Sequence, residues 1–150
     1  MRRIINSFYD WCLEENLLTH NPVKNIKPIK SDSIIHKPLE QLDLEYMRQA
    51  CKNPREKAII DFLYSTGCRV SELCNAKLED LDWDTKSILI EHGKGMKSRW
   101  VYLNAEAEVS LRYYLKTRKI KSSYIFAPCR KCPSEKTNAR SIQNLVKQVA

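Results

Sequence analysis

The sequence predicts a mainly helical protein with a small antiparallel β-sheet, an α+β fold. Two observations support this fold class, and a third argues against a membrane segment. Apolar residues recur at helical spacing in several separate segments. Two β-rich runs, SILIE at 87–91 and RWVYL at 99–103, flank HGKGMKS, whose two glycines suit a hairpin loop. No apolar run approaches the roughly 20 residues that span a bilayer, so we expect no membrane segment and a cytoplasmic protein.

The N-terminal segment predicts one helix followed by a linker. Apolar residues share one face of a helix over residues 3–17. The stretch 21–38, NPVKNIKPIKSDSIIHKP, contains three prolines and no sustained periodicity, which is typical of a linker. We therefore expect residues 1–22 to end one helical domain, residues 23–38 to connect, and residues 39–150 to begin a second domain.

Two helices are predicted to meet at Gly67. Asn53 followed by Pro54 is a capping arrangement with proline at the first helical position. Gly67 ends the helix that starts there, because glycine readily adopts the left-handed conformation that closes helices. The apolar positions expected to face the core are Ala58, Ile59, Phe62 and Leu63 before Gly67, and Val70, Leu73 and Cys74 after it.

Further helices are predicted over residues 40–51, 105–118 and 139–150. Between the last two, SYIFAP at 123–128 indicates a short extended segment. The first helix has no capping residue before it and the last has no stop signal after it, so we expect a truncated piece of a longer protein. The apolar stripe of the last helix consists of Ile142, Leu145, Val146 and Val149.

The six cysteines do not indicate a disulfide framework. Four of them lie within helical patterns and no export signal accompanies them, so reduced thiols are expected. Cys129 and Cys132 form a single CxxC without a second pair or a nearby histidine, which is half of a zinc site at best. We therefore expect no bound metal.

Basic residues are concentrated in the C-terminal third of the chain, whose overall formal net charge is +8. Residues 39–91 contain 7 basic and 11 acidic side chains, whereas residues 112–150 contain 10 basic and 1 acidic. A basic stripe of this kind suits a polyanion, nucleic acid above all. A surface that only keeps the protein soluble is the open alternative.

Few residues suggest chemistry directly. No Ser/His/Asp set, phosphate-cradling glycine loop or acidic two-metal pattern is legible. Arg69, at the junction of two helices, and Lys94, at the tip of the predicted hairpin, stand out. An arginine fork can hold two phosphoryl oxygens, and a lysine on a loop can give a proton to a leaving group. Each has a structural alternative: Arg69 can pair with Glu72, and Lys94 can be a solvated turn lysine.

Three linked segments resemble the tyrosine recombinases, also called the phage integrase family. TGCRVSEL, starting at Thr66, resembles the family's TGxRxSEL box, and HGKGMKSRWVYL, starting at His92, resembles its GKGxKxRxVPL hairpin. LEDLDWD resembles the connection between them, and the N-terminal helix followed by NPVKNIKP resembles the end of the family's core-binding domain. The resemblance covers most of residues 1–126 and implies the first part of the family's DNA breaking-rejoining catalytic domain.

The resemblance also implies roles for individual residues. Arg69 matches the first catalytic arginine, Glu72 the acidic residue that supports it, and Lys94 the catalytic lysine of the hairpin. In this family a tyrosine attacks the scissile phosphate without metal or other cofactor, giving a 3′-phosphotyrosyl link and a free 5′-hydroxyl. The implied partner is double-stranded DNA, bound by a homo-oligomer when the protein is full length. A position in solvent is the open alternative for each of the residues expected near the DNA backbone, which are Lys97, Arg99, Lys116, Arg118, Lys119, Lys121, Arg130 and Lys131.

One motif of the family is missing from the sequence. The HxxR box is expected after the last helix, yet no histidine follows His92, and none of the three histidines has an arginine three residues on. The family's nucleophilic tyrosine lies further on still, so no tyrosine here is assigned that role. We therefore expect an inactive piece of a recombinase, truncated before HxxR. The alternatives are a non-enzymatic DNA-binding or regulatory protein and, from the charge alone, an RNA-binding or basic scaffold protein.

Overall fold

A computed structural model describes four stretches of the chain: residues 2–27, 37–91, 98–128 and 136–150. It divides into two compact units, Met1–Pro38 and Leu39–Ala150. No helix within the described stretches is long and apolar enough to cross a bilayer.

The first unit contains helix α1 (Arg2–Glu14) and the turns that follow it. Asn21 is buried, and its side-chain amide donates to the carboxylate of Asp10 at 2.7 Å. Its side-chain oxygen accepts from the backbone N–H of Val23 at 2.8 Å. These two bonds hold the chain after α1 against the helix, which explains why a polar residue is buried there.

The described part of the second unit contains five helices and three strands, in agreement with the predicted fold class. The prediction of a mainly helical protein with a small antiparallel sheet is confirmed. The elements are α2 (Gln41–Ala50), α3 (Pro54–Thr66), α4 (Val70–Asn75), β1 (Leu81–Asp82), β2 (Ser87–Ile90), β3 (Arg99–Tyr102), α5 (Ala105–Thr117) and α6 (Ala139–Val149), with a short 3-10 turn at Leu78–Asp80.

The sheet has the order β1-β2-β3, and both neighbouring pairs are antiparallel. In the predicted hairpin pair, Ile90 of β2 lies opposite Arg99 of β3. Strand β1 was not predicted from the sequence, because it is only two residues long and forms by pairing Leu81 with Ile88. The register therefore places the start of β3 beside the end of β2.

The helix start and stop predicted around α3 are confirmed. Asn53 accepts a hydrogen bond from the backbone N–H of Glu56 at 3.0 Å, and Pro54 is the first helical residue. Gly67 follows α3 with φ 58° and ψ 20°, the left-handed conformation in which a β-carbon is unfavourable. Because α4 begins only three residues later, this turn sets the direction in which Arg69 leaves the backbone.

The core of the second unit lies between α3, the sheet and α5, and α6 also contributes to it. Phe62 of α3 meets Phe126 edge to face with 5.4 Å between ring centroids, and Tyr114 of α5 stacks on Phe126 at 5.7 Å. The extended segment predicted at SYIFAP pairs with the chain that follows α4: Ile125 donates its backbone N–H to the carbonyl of Ala76 at 2.9 Å. The helices on both sides of Gly67 are thereby fixed to the core.

Candidate functional site

Arg69 lies between two helices, where the sequence predicted it. Gly67 ends α3, and Arg69 immediately precedes α4 with an extended backbone conformation, φ −72° and ψ 151°. Its side chain is 54% exposed. The residue therefore combines a rigid backbone position with a guanidinium group that solvent can reach.

Glu72 binds Arg69 twice and is itself buried. One carboxylate oxygen, Oε2, accepts from the backbone N–H of Arg69 at 2.8 Å, which caps the first turn of α4. The other oxygen, Oε1, accepts from Nη1 of Arg69, also at 2.8 Å. The Glu72 side chain is only 5% exposed. The pairing predicted as a structural alternative for Arg69 is present, and the supporting role that the resemblance implies for Glu72 stays a prediction.

Arg99 approaches the same carboxylate from the sheet. Its Nη1 donates to Oε1 of Glu72 at 3.0 Å, and its Nη2 donates to Oε2 at 2.7 Å. This is the two-bond fork that guanidinium and carboxylate groups form in their strongest pairs. Arg69, Glu72 and Arg99, the Glu72 triad, connect the start of α4 to the start of β3.

The triad keeps Glu72 ionised. The hydrogen bonds from Arg99, followed by those from the backbone and side chain of Arg69, outweigh the effect of burial and lower the pKa of Glu72 to about 2. Glu72 also raises the pKa of Arg99 from its usual value. Near neutral pH the triad therefore carries two positive charges and one negative charge.

A small cavity of about 310 Å³ adjoins Glu72 between α4, the sheet and the segment that pairs with residue 77. Asn75, Lys77 and Tyr124 are among the residues that line it. A larger cavity, about 720 Å³, lies between α2, α3 and α5. Among the described residues, none of those predicted to act on DNA lines this larger cavity.

The other predicted site residues are only partly placed. Lys94 and Lys97 lie outside the described residues, and so do Arg130 and Lys131. Cys129 and Cys132 do as well. Across the parts of the chain that the structure describes, no group of three or more histidine, cysteine or acidic side chains could hold a metal ion.

The basic residues at the end of α5 and in the loop just after it fall into two kinds. Lys116, Lys119 and Lys121 are exposed. Arg118, in contrast, donates to three backbone carbonyls, those of Ser122 at 3.0 Å, Tyr124 at 2.9 Å and Ile125 at 3.2 Å. Its guanidinium thus organises the loop that leads to the core.

A family model described as the phage integrase family matches residues 34–150. The chain belongs to the phage integrase family. The resemblance seen in TGCRVSEL and the hairpin is thereby confirmed at the level of the family. The small sheet and the helices around it are accordingly the integrase fold.

Curated relatives in this family are tyrosine recombinases. Tyrosine recombinase XerA of Pyrococcus horikoshii is 34% identical over 126 residues, which cover 84% of this chain and 43% of that protein. Tyrosine recombinase XerC of Bacillus licheniformis is 36% identical over 131 residues, covering 83% of this chain and 43% of that protein. The chain therefore spans less than half the length of these relatives.

Solved structures agree with the family assignment. The crystal structure of XerA recombinase matches with a TM-score of 0.64 and 26% identity, covering 74% of this chain and 41% of that one. A lambda integrase dimer bound to a COC′ core site matches with a TM-score of 0.76, covering 99% of this chain and 56% of that one. The identity in the lambda integrase match is 17%, so it supports the shared integrase fold alone.

The predictions from sequence missed the partner of Arg99 in this integrase domain. Arg99 was assigned to the DNA backbone with the other basic residues, and its contact with Glu72 joins residues 27 positions apart in the sequence. The burial of Glu72, which the sequence does not show, is what requires the pairing, because a buried carboxylate needs compensating donors. Contact between Arg99 and DNA stays a prediction.

Proposed function

We propose that this chain is part of a site-specific recombinase that cuts and rejoins double-stranded DNA through a 3′-phosphotyrosyl intermediate. Arg69 holds the oxygens of the scissile phosphate, and Lys94 protonates the departing 5′ oxygen. The proposal rests on the hydrogen bonds and the exposure of the Arg69 side chain. One of its nitrogens is bound by buried Glu72, whereas Nε and Nη2 have no partner among the described residues and the side chain is 54% exposed.

The proposed chemistry requires preorganised positive charge. When a tyrosine attacks the phosphate, negative charge builds on the oxygens that do not react, and a fixed guanidinium stabilises that charge without reorganising. Glu72 and Gly67 hold Arg69 in place before DNA arrives. In this proposal the nucleophilic tyrosine and the HxxR box are supplied by residues outside this sequence, so the chain by itself does not cleave DNA.

Duplex DNA and oligomeric assembly are part of the same proposal. A lambda integrase tetramer has been solved bound to a Holliday junction, and the Tn1549 transposon integrase in complex with circular intermediate DNA. Their shared fold supports extending both features to a full-length protein that contains this chain. The exposed lysines at the end of α5 and just after it are proposed to contact the DNA backbone together with Lys97, Arg130 and Lys131.

Substitution of Arg69 tests the proposal in a full-length recombinase that contains this chain. We expect Arg69→Ala to lower the rate of DNA cleavage by about 10² to 10³ or more, as loss of an oxyanion donor does, with little loss of duplex binding. The readout is the covalent protein–DNA adduct on a denaturing gel, with affinity measured separately by fluorescence anisotropy. Arg112→Ala is the matched control, because Arg112 is also a half-exposed arginine paired with a carboxylate, at Glu108.

Two results would contradict the recombinase assignment. If Arg69→Ala forms the adduct as fast as the parent protein, Arg69 does not hold the reacting phosphate. If the full-length protein binds duplex DNA and never forms an adduct with any cognate site, the non-enzymatic DNA-binding alternative is correct. Preference for single-stranded RNA over duplex DNA at matched salt would favour the RNA-binding alternative.

A further inference from the structure

Arg99 and Arg69 share one carboxylate but use it differently. Both terminal nitrogens of Arg99 donate to Glu72, so the two-bond face of its guanidinium is occupied. Arg69 commits only Nη1 of its side chain to the same carboxylate. As far as the described residues go, a phosphate that reaches this site therefore finds an available fork on Arg69 and an occupied one on Arg99.

The charges of the Glu72 triad also favour phosphate binding by Arg69, with Arg99 bound to Glu72. Glu72 with Arg69 alone would be a neutral pair, and an approaching phosphate would meet an arginine whose charge is already cancelled. Arg99 adds a second positive charge and leaves the triad with a net charge of +1. The side chain of Glu72 is 5% exposed, whereas those of Arg69 and Arg99 are 54% and 39% exposed, so solvent screens the carboxylate less than it screens the two arginines.

The position of Arg99 gives it a mechanical role as well. It is the first residue of β3, while Glu72 lies in the first turn of α4 and Arg69 immediately precedes that helix. The two bonds from Arg99 to Glu72 therefore fix the beginning of a strand to the beginning of a helix. Lys94, five positions earlier in the sequence, lies outside the described residues.

We propose that Arg99 is a positioning residue: by binding Glu72 in a fork, it leaves Arg69 a hydrogen-bonding face that no described residue occupies and a net positive charge for a DNA phosphate. Arg99 acts through Glu72 and does not itself need to touch DNA. The role of Arg69 in this inference depends on the proposed recombinase function. The link between Arg99 and Glu72 does not, and the two can be tested separately.

The first experiment measures the link in this chain alone. The pH titration of the Glu72 carboxyl carbon is followed by NMR in the parent protein and in Arg99→Gln. Because the bonds from Arg99 are the largest cause of the low pKa, near 2, we expect Arg99→Gln to raise the pKa of Glu72 by at least about one unit. Arg99→Lys, which keeps the charge and loses the fork, gives a smaller rise. Arg112→Gln is the control and leaves the titration unchanged.

The second experiment separates action through Glu72 from direct contact with DNA. Affinity for a short labelled DNA duplex is measured for the parent, Arg99→Gln, and the double variant Glu72→Gln/Arg99→Gln. Arg99→Gln makes the triad neutral, and we expect duplex affinity to fall by about threefold or more. The double variant restores the net charge of +1 through Arg69, so affinity recovers to within about twofold of the parent.

The outcomes are distinct for each claim. An unchanged Glu72 titration in Arg99→Gln overturns the link, whatever happens to DNA binding. A double variant that binds duplex as weakly as Arg99→Gln overturns action through Glu72 and shows a direct phosphate contact instead. If the parent chain itself does not bind duplex even at low salt, the role given to Arg69 fails, while the titration still decides whether Arg99 controls Glu72.

Discussion

Glu72 is the residue on which the site depends, because its two oxygens collect four hydrogen bonds from two elements. Arg69 supplies a backbone N–H and Nη1, and Arg99 supplies both of its terminal nitrogens. A carboxylate that is 5% exposed would be unfavourable without such donors. Its burial and its pairing are therefore one feature, and loss of either arginine leaves the other facing an under-satisfied charge.

Replacing Glu72 by glutamine tests this dependence through pH. The pKa of Glu72 is about 2 in the folded protein and close to 4.3 in an unfolded chain. A folded-state pKa below the unfolded one stabilises the protein fully above the unfolded value, and the contribution is lost as pH falls through the folded value. We expect Glu72→Gln to lower the free energy of unfolding by about 2–3 kcal/mol near neutral pH.

The difference between parent and Glu72→Gln should shrink as the pH falls from about 4 to about 2. Urea unfolding at several pH values in this window provides the measurement. Glu79→Gln is the control, because Glu79 is 71% exposed and pairs with an exposed lysine, so its effect should stay small at every pH. A difference that stays constant through the window would show that Glu72 contributes by shape and not by charge.

At the scale of elements, the turn at Gly67 and the ion pairs of Arg48 stabilise the second unit in different ways. Steric crowding does not require glycine at position 67, since a β-carbon built there meets nothing within 4 Å, and only its positive φ favours glycine.

Arg48 of α2 instead joins three helices by side-chain contacts. It donates to Asp61 of α3 at 2.7 Å and to Glu106 of α5 at 2.6 Å. Burial lowers the pKa of Arg48, but these two bonds outweigh it and raise the pKa above its usual value.

Replacing Arg48 should lower the free energy of unfolding strongly, because its partner Asp61 is only 1% exposed. Arg48→Met leaves the Asp61 carboxylate buried without its donor, and we expect a loss of about 3–5 kcal/mol in the free energy of unfolding. Arg48→Met combined with Asp61→Leu should recover much of that loss. Glu106→Gln is the matched control: Glu106 is 63% exposed, and its loss should cost about 1 kcal/mol or less. Denaturant unfolding of the four proteins gives the comparison, and equal losses for Arg48→Met and Glu106→Gln would contradict it.

For the whole molecule, the parts predicted from sequence were those encoded locally. Asn53 and Gly67 mark the ends of α3 through their own backbone preferences, and the hairpin strands follow from adjacent β-rich runs. The parts that were missed depend on distant partners. Asp61 occupies the apolar run AIIDFLY and becomes interpretable only with Arg48 beside it, and Arg99 reads as one more basic residue until Glu72 is placed against it.

The same distinction applies to the basic C-terminal third, where the net charge can be counted from the sequence but the hydrogen bonds of each basic residue cannot. Lys116, Lys119 and Lys121 are exposed and available to a polyanion. Arg118 contributes equally to the net charge, yet its guanidinium binds three carbonyls of the following loop. The charge count treats these four residues alike. Their hydrogen bonds distinguish three exposed lysines from one arginine that stabilises the following loop.

Substitution of these residues should therefore divide into two effects. The triple change of Lys116, Lys119 and Lys121 to glutamine is expected to weaken duplex DNA binding. It should also reduce the dependence of log affinity on log salt, by up to about 0.9 for each phosphate that the variant no longer neutralises. Thermal stability should stay close to that of the parent, since exposed lysines contribute little to folding.

Arg118→Gln is expected to do the reverse, lowering the melting temperature by several degrees through loss of buried carbonyl bonds, while the salt dependence stays unchanged. Anisotropy titrations at several salt concentrations and thermal melts provide both readouts. A reduced salt dependence with no loss of stability in Arg118→Gln would place Arg118 on the DNA and leave the loop after α5 without its proposed brace.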